Sequence, residues 1–420
     1  VTPMRIVYLH QYFTTPAQSG GTRSYEFARR LADRGHDVHV ITSTRDAGDH
    51  GGQWSTRETA GFTVHARHVP YDNSMGSLQR VRAFVTFAVV SAARARSLKG
   101  EVVFATSTPL TIFLPAWFAT LGRRTPIVFE VRDSWPTVPI ALGYLSHPVA
   151  RWLARRLEHF AYARSAKIVA LSPGMREDAA EQGADPQKIS VIPNAADVSM
   201  FDVPDAVGVR WRRDHGIDVD APLIVYTGTF GAANEVEYLV DVAREAAALD
   251  ARTVFALIGS GAREAAVRSR AEDYGLLGKT VRVMPPVPKA EMPAVFSAAD
   301  VATSVVTNNP AMNANSANKF FDSLAAGRAI AINHEGWQAD LIRSHDVGLV
   351  LERDDLRAAA HQLLGLIADR ARLAQVHRRA RDLARSEFDR DVLARQLAEV
   401  LENAREGRSG SVRERARTVR

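Results

Sequence analysis

Strand-length apolar runs alternate with helical patterns along most of the chain. The run "MRIVYLH" is followed by a loop and then by "TRSYEFARRLADRG", which has apolar residues at helical spacing and ends at Gly35. The next run, "HDVHVIT", has the length of a strand. A strand–helix–strand unit of this kind predicts a parallel sheet with a right-handed crossover. The alternation therefore restricts the chain to an α/β fold.

The alternation occurs in two series. The first continues with "EVVFATS", "PIVFEVRD", "AKIVALS" and "ISVIPN", and the second begins at "LIVYTGTF" and continues with "TVFALIGS", "VRVMPP", "VATSVV", "AIAINH" and "GLVLE". Because 420 residues exceed one ordinary core, we expect two facing Rossmann-like, doubly wound domains with a central cleft. The expected boundaries are 1–197 for the first domain, 198–221 for a linker, 222–380 for the second domain, 380–405 for helices that pack back on the first, and 406–420 for a basic flexible tail.

Composition narrows the class of protein. The chain has no cysteine, which excludes disulfides, thiolate catalysis and cysteine-ligated metals. No stretch approaches 18 consecutive apolar residues and no leader pattern is recognisable, so we expect a cytoplasmic protein. The net charge of +6 favours phosphorylated substrates or an anionic membrane over nucleic acid, since no recognition motif accompanies it.

One predicted helix combines apolar and basic residues. Residues 78–98 have an apolar middle, and four arginines lie at the two ends: Arg80, Arg82, Arg94 and Arg96. With a second group (Arg151, Trp152, Arg155 and Arg156), this helix could contact anionic lipid. The alternative is a helix packed on its own sheet with arginines that reach solvent. The first interpretation predicts peripheral attachment to the inner face of the cell membrane.

Motifs in a fixed order carry a family resemblance. They are a Gly-Gly loop after the first strand, "VIPNAAD" (191–197), "YTGTFG" (226–231), "LIGSGARE" (257–264) and "NKFFDSLAAGRAI" (318–330). The chain, from about Met4 to Leu401, resembles the retaining glycosyltransferases of family 4, which have the GT-B fold. The segment "EVRDSWP" (130–136) further resembles the L-fucosamine transferase-like branch, which adds N-acetylated amino sugars to polyprenyl-diphosphate-linked acceptors in O-antigen or capsule assembly.

The resemblance implies a reaction without a metal or other cofactor. A sugar moves from a nucleotide diphosphate sugar, most often UDP-linked, to a lipid-linked or saccharide acceptor. The leaving diphosphate takes the acceptor proton, and configuration is retained. Two Asp-x-Asp patterns, 218–220 and 389–391, fall in the linker and in the C-terminal helical stretch, and we interpret both as chance.

The resemblance also assigns donor-site residues. Asp322 stands where relatives place a carboxylate on the ribose hydroxyls, while Ala314 stands where a first carboxylate is usual. Ser316 is expected to cap the helix so that its N–H groups face the diphosphate, with the charge of Lys319 beside it. The full set of expected donor contacts is Asn318, Lys319, Asp322, Gly228, Thr229, Gly259, Gly261 and Val287.

Two features of the donor loops stay open. Thr229 and Asn234 stand where many relatives have an Arg and a Lys that bind the diphosphate, so Lys319 or Arg263 would have to supply this charge. Gly259 and Gly261 close a strand-to-helix turn, either for ligand approach or for turn geometry alone.

The first domain offers its own candidates. Gly20 and Gly21 open a helix after the first strand, a position suited to a phosphate, and Arg23 in the first turn could contact it. Glu130, Arg132 and Asp133, at the end of "PIVFEVRD", could act on the sugar or the acceptor. For Arg132 and Asp133, a structural ion pair at the strand end is the alternative. His10, which ends the first strand, is a weaker candidate.

Three other functions are alternatives. A UDP-sugar 2-epimerase would use the same architecture, although "NKFFDSLAAG" favours a transferase. A nucleotide-sugar-binding protein without activity would explain the missing carboxylate and the missing Arg/Lys pair. An NAD dehydrogenase is disfavoured because no Gly-x-Gly-x-x-Gly with a following acidic residue succeeds the first strand.

Overall fold

The structure is a computed structural model that describes residues 2–18, 21–44, 52–70, 75–107 and 109–417, and, of these, the side chains of 77, 78, 80 and 408–417 are left out of the description. The chain divides into two compact units. The first unit comprises Val1–Thr15, Thr22–Pro193 and Leu393–Arg420, and the second comprises Pro16–Gly21 and Asn194–Val392.

The first unit is built on an eight-stranded sheet. Its strands are β1 (Arg5–Leu9), β2 (Asp37–Thr44), β3 (Trp54–Thr59), β4 (Phe62–His68), β5 (Val102–Thr106), β6 (Ile127–Val131), β7 (Lys167–Ala170) and β8 (Ile189–Val191). The spatial order is β3-β4-β2-β1-β5-β6-β7-β8, and every pair is parallel except β3 with β4. The β3–β4 hairpin was not predicted from the sequence.

Helices cover this sheet. They are α1 (Arg23–Asp33), α2 (Ser77–Ser97), α3 (Phe113–Thr120), α4 (Thr137–Ala141), α5 (Pro148–Arg164) and α6 (Pro173–Glu181). Strands β5 and β6 are buried along their whole length. Burial on both faces explains why the central strands are continuous apolar runs rather than alternating ones.

The second unit is built on a six-stranded, fully parallel sheet. Its strands are β9 (Leu223–Thr229), β10 (Val254–Ser260), β11 (Val281–Met284), β12 (Val301–Ser304), β13 (Ala329–Ile332) and β14 (Gly348–Val350), in the order β11-β10-β9-β12-β13-β14. The helices are α7 (Val198–Phe201), α8 (Asp205–Asp214), α9 (Glu237–Leu249), α10 (Glu264–Asp273), α11 (Met292–Ala298), α12 (Asn318–Ala325), α13 (Trp337–His345), α14 (Leu356–Ala368) and α15 (Arg370–Glu387).

The predicted fold class is confirmed, because both units are doubly wound parallel sheets. In each sheet the strand order reverses next to the first strand, between β1 and β5 in the first unit and between β9 and β12 in the second. Ligands of such sheets bind at the carboxyl ends of the strands beside this reversal. The residues that follow β1, β5, β9 and β12 are therefore the candidates for ligand contact.

Residues 198–221, which the sequence predicted as a linker, contain α7 and α8 of the second unit. Helix α8 lies close to α11, since a Cβ on Gly208 would lie 2.4 Å from the backbone of Ser297. The buried Arg212 donates to the carbonyl of Ala298 at 2.8 Å and pairs with Asp300 at 2.9 Å. Helix packing and a buried ion pair therefore replace the expected loose connection.

The last helix, α16 (Arg390–Arg417), returns the chain to the first unit from Leu393 onward. Leu397 and Leu401 on this helix are buried, whereas α15, expected to share this return, stays in the second unit. The helix extends through most of the predicted flexible tail, whose Arg and Glu residues are good helix formers. None of the described helices combines the length and apolar character needed to cross a membrane.

Candidate functional site

Three glycines at the ends of β9 and β10 lie in a tightly packed backbone arrangement. Gly228 and Gly259 are register partners, and a Cβ on Gly259 would lie 1.8 Å from the Gly228 carbonyl oxygen. A Cβ on Gly261 would lie 2.5 Å from the carbonyl oxygen of Phe230. Backbone packing therefore requires glycine at 259 and 261 whether or not a ligand approaches them.

Lys319 lies beside Gly228. Its Nζ is 4.0 Å from the centre of the Tyr226 ring, and it would be 3.0 Å from a Cβ on Gly228. Burial lowers the pKa of Lys319 to about 7. Among the residues that the structure describes, no carboxylate forms an ion pair with this amine. The Lys319 amine, which burial removes from water and which has no carboxylate partner in the described part of the chain, lies where the sheet order reverses, a position suited to an anionic ligand.

The first turn of α12 contributes its backbone to the same place. Its N-cap is Ala317, and no side chain caps it. The predicted cap by Ser316 is wrong: the Ser316 hydroxyl accepts from the backbone N–H of Asn194 at 3.4 Å, and the Ser316 carbonyl accepts from the Asn194 amide at 2.5 Å. Asn318, the first residue of α12, is half-buried. An uncapped helix N-terminus favours a bound anion.

Asp322 lies one turn further along α12 and is paired. Its Oδ2 is 2.5 Å from Nζ of Lys289, and the two side chains are 7% and 10% exposed. The Lys289 ammonium also lies 5.1 Å from the centre of the Phe201 ring. Asp322 Oδ1 is buried without a hydrogen-bond partner among the described residues. Lys289 was not predicted from the sequence, because no local pattern relates two residues that are 33 positions apart.

The remaining donor-loop candidates have simpler surroundings. Thr229 is exposed, and its carbonyl accepts a hydrogen bond from the Tyr226 hydroxyl at 2.8 Å. Val287, after β11, is half-buried and packs against the core. Arg263 pairs with the buried Glu237 at 2.7 Å. Of the two cations expected to replace the missing pair, Lys319 is thus the one without a carboxylate.

In the first unit, the predicted roles of Arg23 and Glu130 need correction. The Arg23 guanidinium is 2.8 Å from Glu130 Oε1, and the two side chains are 2% and 0% exposed. Arg23 also donates to the carbonyls of Ile192, at 2.8 Å, and Pro193. Thr106 donates to the other Glu130 oxygen at 2.6 Å. This buried, satisfied ion pair connects α1 to β6 and to the chain that follows β8, so neither side chain is available to a phosphate or a sugar.

Arg132 and His10 meet at the carboxyl ends of β6 and β1. The guanidinium NH1 of Arg132 is 3.2 Å from Nε2 of His10, and the Arg132 backbone N–H donates to the Ser107 hydroxyl at 2.9 Å. Burial, together with the Arg132 charge, lowers the pKa of His10 well below its ordinary value. Since guanidinium only donates, Nε2 accepts and the neutral ring carries its hydrogen on Nδ1. The neighbouring Asp133 is exposed.

Of the glycine pair before α1, Gly20 lies outside the described residues, and Gly21 is half-buried directly before Thr22, the N-cap of α1. The structure therefore brings Arg132 together with His10, but it places Arg23 and Glu130 in the core beneath them.

Two family models match consecutive parts of the chain. Residues 20–195 match the glycosyl transferase 4-like domain, and residues 221–369 match glycosyl transferases group 1. Together these ranges cover most of the chain; the first lies almost entirely in the first unit and the second lies within the second unit. The chain belongs to the GT-B glycosyltransferases. No curated protein sequence matches it significantly.

Solved structures share this glycosyltransferase fold over nearly the whole chain. Anabaena HepE in complex with UDP and glucose is similar with a TM-score of 0.73 and 15% identity, over 95% of this chain and 100% of that one. Sucrose-phosphate synthase from Thermosynechococcus elongatus has a TM-score of 0.75 and 15% identity, over 95% and 98%. WaaG, a glycosyltransferase involved in lipopolysaccharide biosynthesis, has a TM-score of 0.68 and 15% identity, over 94% and 99%. At such identities the likeness shows the fold.

In this glycosyltransferase, two polar groups among the described residues are candidates for ligand binding, one in each unit. One contains Lys319, the first turn of α12 and the Lys289–Asp322 pair in the second unit. The other contains His10 and Arg132 in the first unit. The first group has the cationic and backbone donors that a diphosphate needs.

Proposed function

We propose that this glycosyltransferase takes its sugar from a nucleotide diphosphate sugar bound to the second unit. The observation that carries the proposal is Lys319. Its amine is desolvated, has no carboxylate partner in the described part of the chain, and lies at the sheet reversal beside an uncapped helix N-terminus. A diphosphate supplies the missing negative charge and accepts hydrogen bonds from the α12 backbone.

UDP is the nucleotide we propose. Support comes from the fold shared with HepE, whose structure contains UDP and glucose. The resemblance of "EVRDSWP" to the amino sugar branch favours an N-acetylated amino sugar as the transferred group. Asp322 lies in the second unit, on the same helix as Lys319. We assign Asp322 to the ribose hydroxyls, and Val287 to the base.

The proposed transfer retains the anomeric configuration and uses no metal. The acceptor hydroxyl oxygen forms a bond to the anomeric carbon, the bond from that carbon to the β-phosphate oxygen breaks, and the leaving UDP takes the acceptor proton. Catalysis then depends on positioning and on stabilising the charge of the departing diphosphate. Lys319 supplies part of that stabilisation. Arg132, beside His10, is available for an anionic group of the acceptor, for which we propose a polyprenyl-diphosphate-linked saccharide.

A lipid-linked acceptor agrees with the surface of the first unit. Large apolar side chains are exposed on α2, α3 and the α4–α5 region: Val81, Val85, Val89, Leu114, Phe118, Leu121, Tyr144, Val149, Trp152 and Leu153. Arg96 joins two of these helices by donating to the carbonyl of Leu121 at 2.8 Å, and Arg156 lies 5.7 Å from the Trp152 ring. Helix α2 contains no acidic residue. We therefore propose peripheral binding to an anionic bilayer.

Turnover tests the proposal. Purified protein is incubated with UDP-, GDP-, ADP- and dTDP-sugars, with and without a membrane extract, and release of the nucleoside diphosphate is measured. We expect acceptor-dependent release of UDP that persists in a chelator and is lost in Lys319→Gln. Nucleotide-sugar binding without turnover, in the presence of a competent acceptor, would favour a sensor. Turnover of a UDP-sugar alone to its 2-epimer would favour the epimerase.

Membrane binding is tested separately. Flotation with vesicles of phosphatidylglycerol and phosphatidylcholine should recover the wild type, while Val85→Glu with Trp152→Glu should stay with the unbound protein. Vesicles of phosphatidylcholine alone provide the control for charge. Equal recovery of both proteins on both vesicles would refute this surface as the contact.

A further inference from the structure

The Lys289–Asp322 pair is unusual in its surroundings. Both side chains are nearly buried, and the carboxylate oxygen Oδ1 has no hydrogen-bond partner in the described part of the chain. The pair joins α12 to the turn after β11. Lys289 lies two residues after Val287, which we assign to the base. The pair is therefore formed by the two segments that the proposed function places around the nucleoside.

The amine of Lys289 is held from two sides. Asp322 binds it at 2.5 Å, and the Phe201 ring lies 5.1 Å away. An ammonium group has three hydrogen-bond donors, and the contact with Asp322 uses one of them. Asp322 accepts only, and Lys289 donates only. Together they match a vicinal diol, in which one hydroxyl donates to the carboxylate and the other accepts from the amine.

We propose that Lys289 determines specificity for the sugar of the nucleotide, selecting ribose over 2′-deoxyribose. The proposal rests on the proposed function, since it assumes a nucleotide in the second unit. Lys289 fixes the Asp322 carboxylate, which binds one ribose hydroxyl. Its amine also donates a hydrogen bond to the other, the 2′-hydroxyl. When a nucleotide lacks the 2′-hydroxyl, one N–H of the largely buried Lys289 amine has no hydrogen-bond acceptor. Sites built to bind a hydroxyl discriminate strongly against analogues that lack it.

A purely structural role is the alternative. A buried ion pair can hold α12 to the neighbouring turn without touching a ligand, and removing one partner is then destabilising. Such a role changes stability, and it changes the affinities for ribo- and deoxyribonucleotides by the same factor. A contact between Lys289 and the diphosphate would likewise weaken both nucleotides equally. The ratio of the two affinities therefore separates the proposal from both alternatives.

The experiment measures binding of UDP and of 2′-deoxy-UDP to the full chain by calorimetry. We expect the wild type to prefer UDP by roughly tenfold or more, the range for a hydrogen bond to a charged group. In Lys289→Met the preference should fall to about one, because only UDP loses a contact to its 2′-hydroxyl, while both nucleotides lose the fixed Asp322 carboxylate by the same factor. Lys289→Arg should keep part of the preference. The exposed Lys279 gives the matched control, Lys279→Met, which should behave as the wild type.

Each outcome decides a different point. A wild type that binds neither nucleotide contradicts the proposed function itself. A wild type that prefers UDP, with the same preference in Lys289→Met, overturns the role of Lys289 alone. If Lys289→Met fails to fold, Lys289→Arg and Asp322→Asn provide the comparison. Because the residues act as a pair, the double variant Lys289→Arg with Asp322→Asn should show no further loss of preference than Asp322→Asn.

Discussion

Near neutral pH, the protein should take up a proton when a nucleotide sugar binds, because Lys319 is about half deprotonated in the free protein. Burial lowers its pKa to about 7 in the free protein. A bound diphosphate favours the ammonium form and raises this pKa again. The perturbation that tests this is a change of pH, with Lys319→Gln as the variant that lacks the titrating group.

The magnitude follows from linkage. If only the ammonium form binds the diphosphate, the apparent Kd is multiplied by one plus the ratio of neutral to charged Lys319. With a pKa of about 7, the affinity falls about 30-fold between about pH 6 and about pH 8.5. Near pH 7 the complex should take up about half a proton. The sign is fixed, since binding is tightest below the free pKa.

Calorimetry with UDP-N-acetylglucosamine measures both quantities. A nucleotide sugar is preferable to UDP, whose terminal phosphate titrates in the same range. Repeating the titration in buffers with different ionisation enthalpies gives the number of protons taken up. Lys319→Gln should bind weakly, with an affinity that does not change over this range. Lys319→Arg keeps the charge and should also show no pH dependence. The control Lys279→Gln should retain the wild-type profile.

A wild-type affinity that does not change with pH, and that Lys319→Gln leaves intact, would refute this reasoning. The diphosphate would then lie away from Lys319, and the proposed donor site would lose the observation that carries it. A flat wild-type profile with a strong loss in Lys319→Gln has another meaning. It would show that the amine is already charged before binding and would contradict the lowered pKa alone.

The remaining predictions concern stability. Gly259→Ala should abolish folding of the second unit or lower its melting temperature steeply, because the added Cβ would lie 1.8 Å from a backbone oxygen. Gly365 lies inside α14, and a Cβ there would have no atom within 4 Å. Gly365→Ala should therefore stabilise the unit by roughly 0.5–1 kcal/mol in urea denaturation. Arg23→Met should destabilise the first unit by about 3–5 kcal/mol in the same assay, because it leaves Glu130 buried without a cation, and UDP affinity that falls with it would contradict a structural role. Burial raises the pKa of Glu158 to about 7, so its ionisation in the folded state is costly. At pH values above 7, Glu158→Gln should therefore raise the melting temperature, and near pH 4 it should leave the melting temperature unchanged. An equal effect at both pH values would contradict this explanation.

Periodicity predicted the elements well, because strands and helices of α/β proteins bury a regular pattern of side chains. Phe320, Phe321 and Leu324, which lie at helical spacing in "NKFFDSLAAGRAI", are all buried. The β3–β4 hairpin was missed. Its turn uses Ala60 with a φ of 47° before Gly61, and alanine is not a residue that signals a left-handed turn.

The site was predicted less completely, because its contacts join distant parts of the chain. Ser316 has the residue type of a helix cap, yet its hydroxyl accepts from the backbone of Asn194, 122 positions away. Arg23 has the position of a phosphate ligand, yet it pairs with Glu130, 107 positions away. A local pattern predicts which residue types can bind a ligand. It does not show which of them are already satisfied inside the protein.

The close backbone packing at Gly228, Gly259 and Gly261 has a consequence for how such chains are recognised from their motifs. A Cβ at 259 or 261 would collide with backbone atoms whether or not a nucleotide is present. Selection for folding alone would preserve these glycines, whereas Lys319 would be free to change once donor binding was no longer needed. A descendant that had lost activity would therefore keep its glycine motifs. If Lys319 binds the donor as we propose, the amine at 319 is a better marker of a working enzyme among homologues than these glycines are.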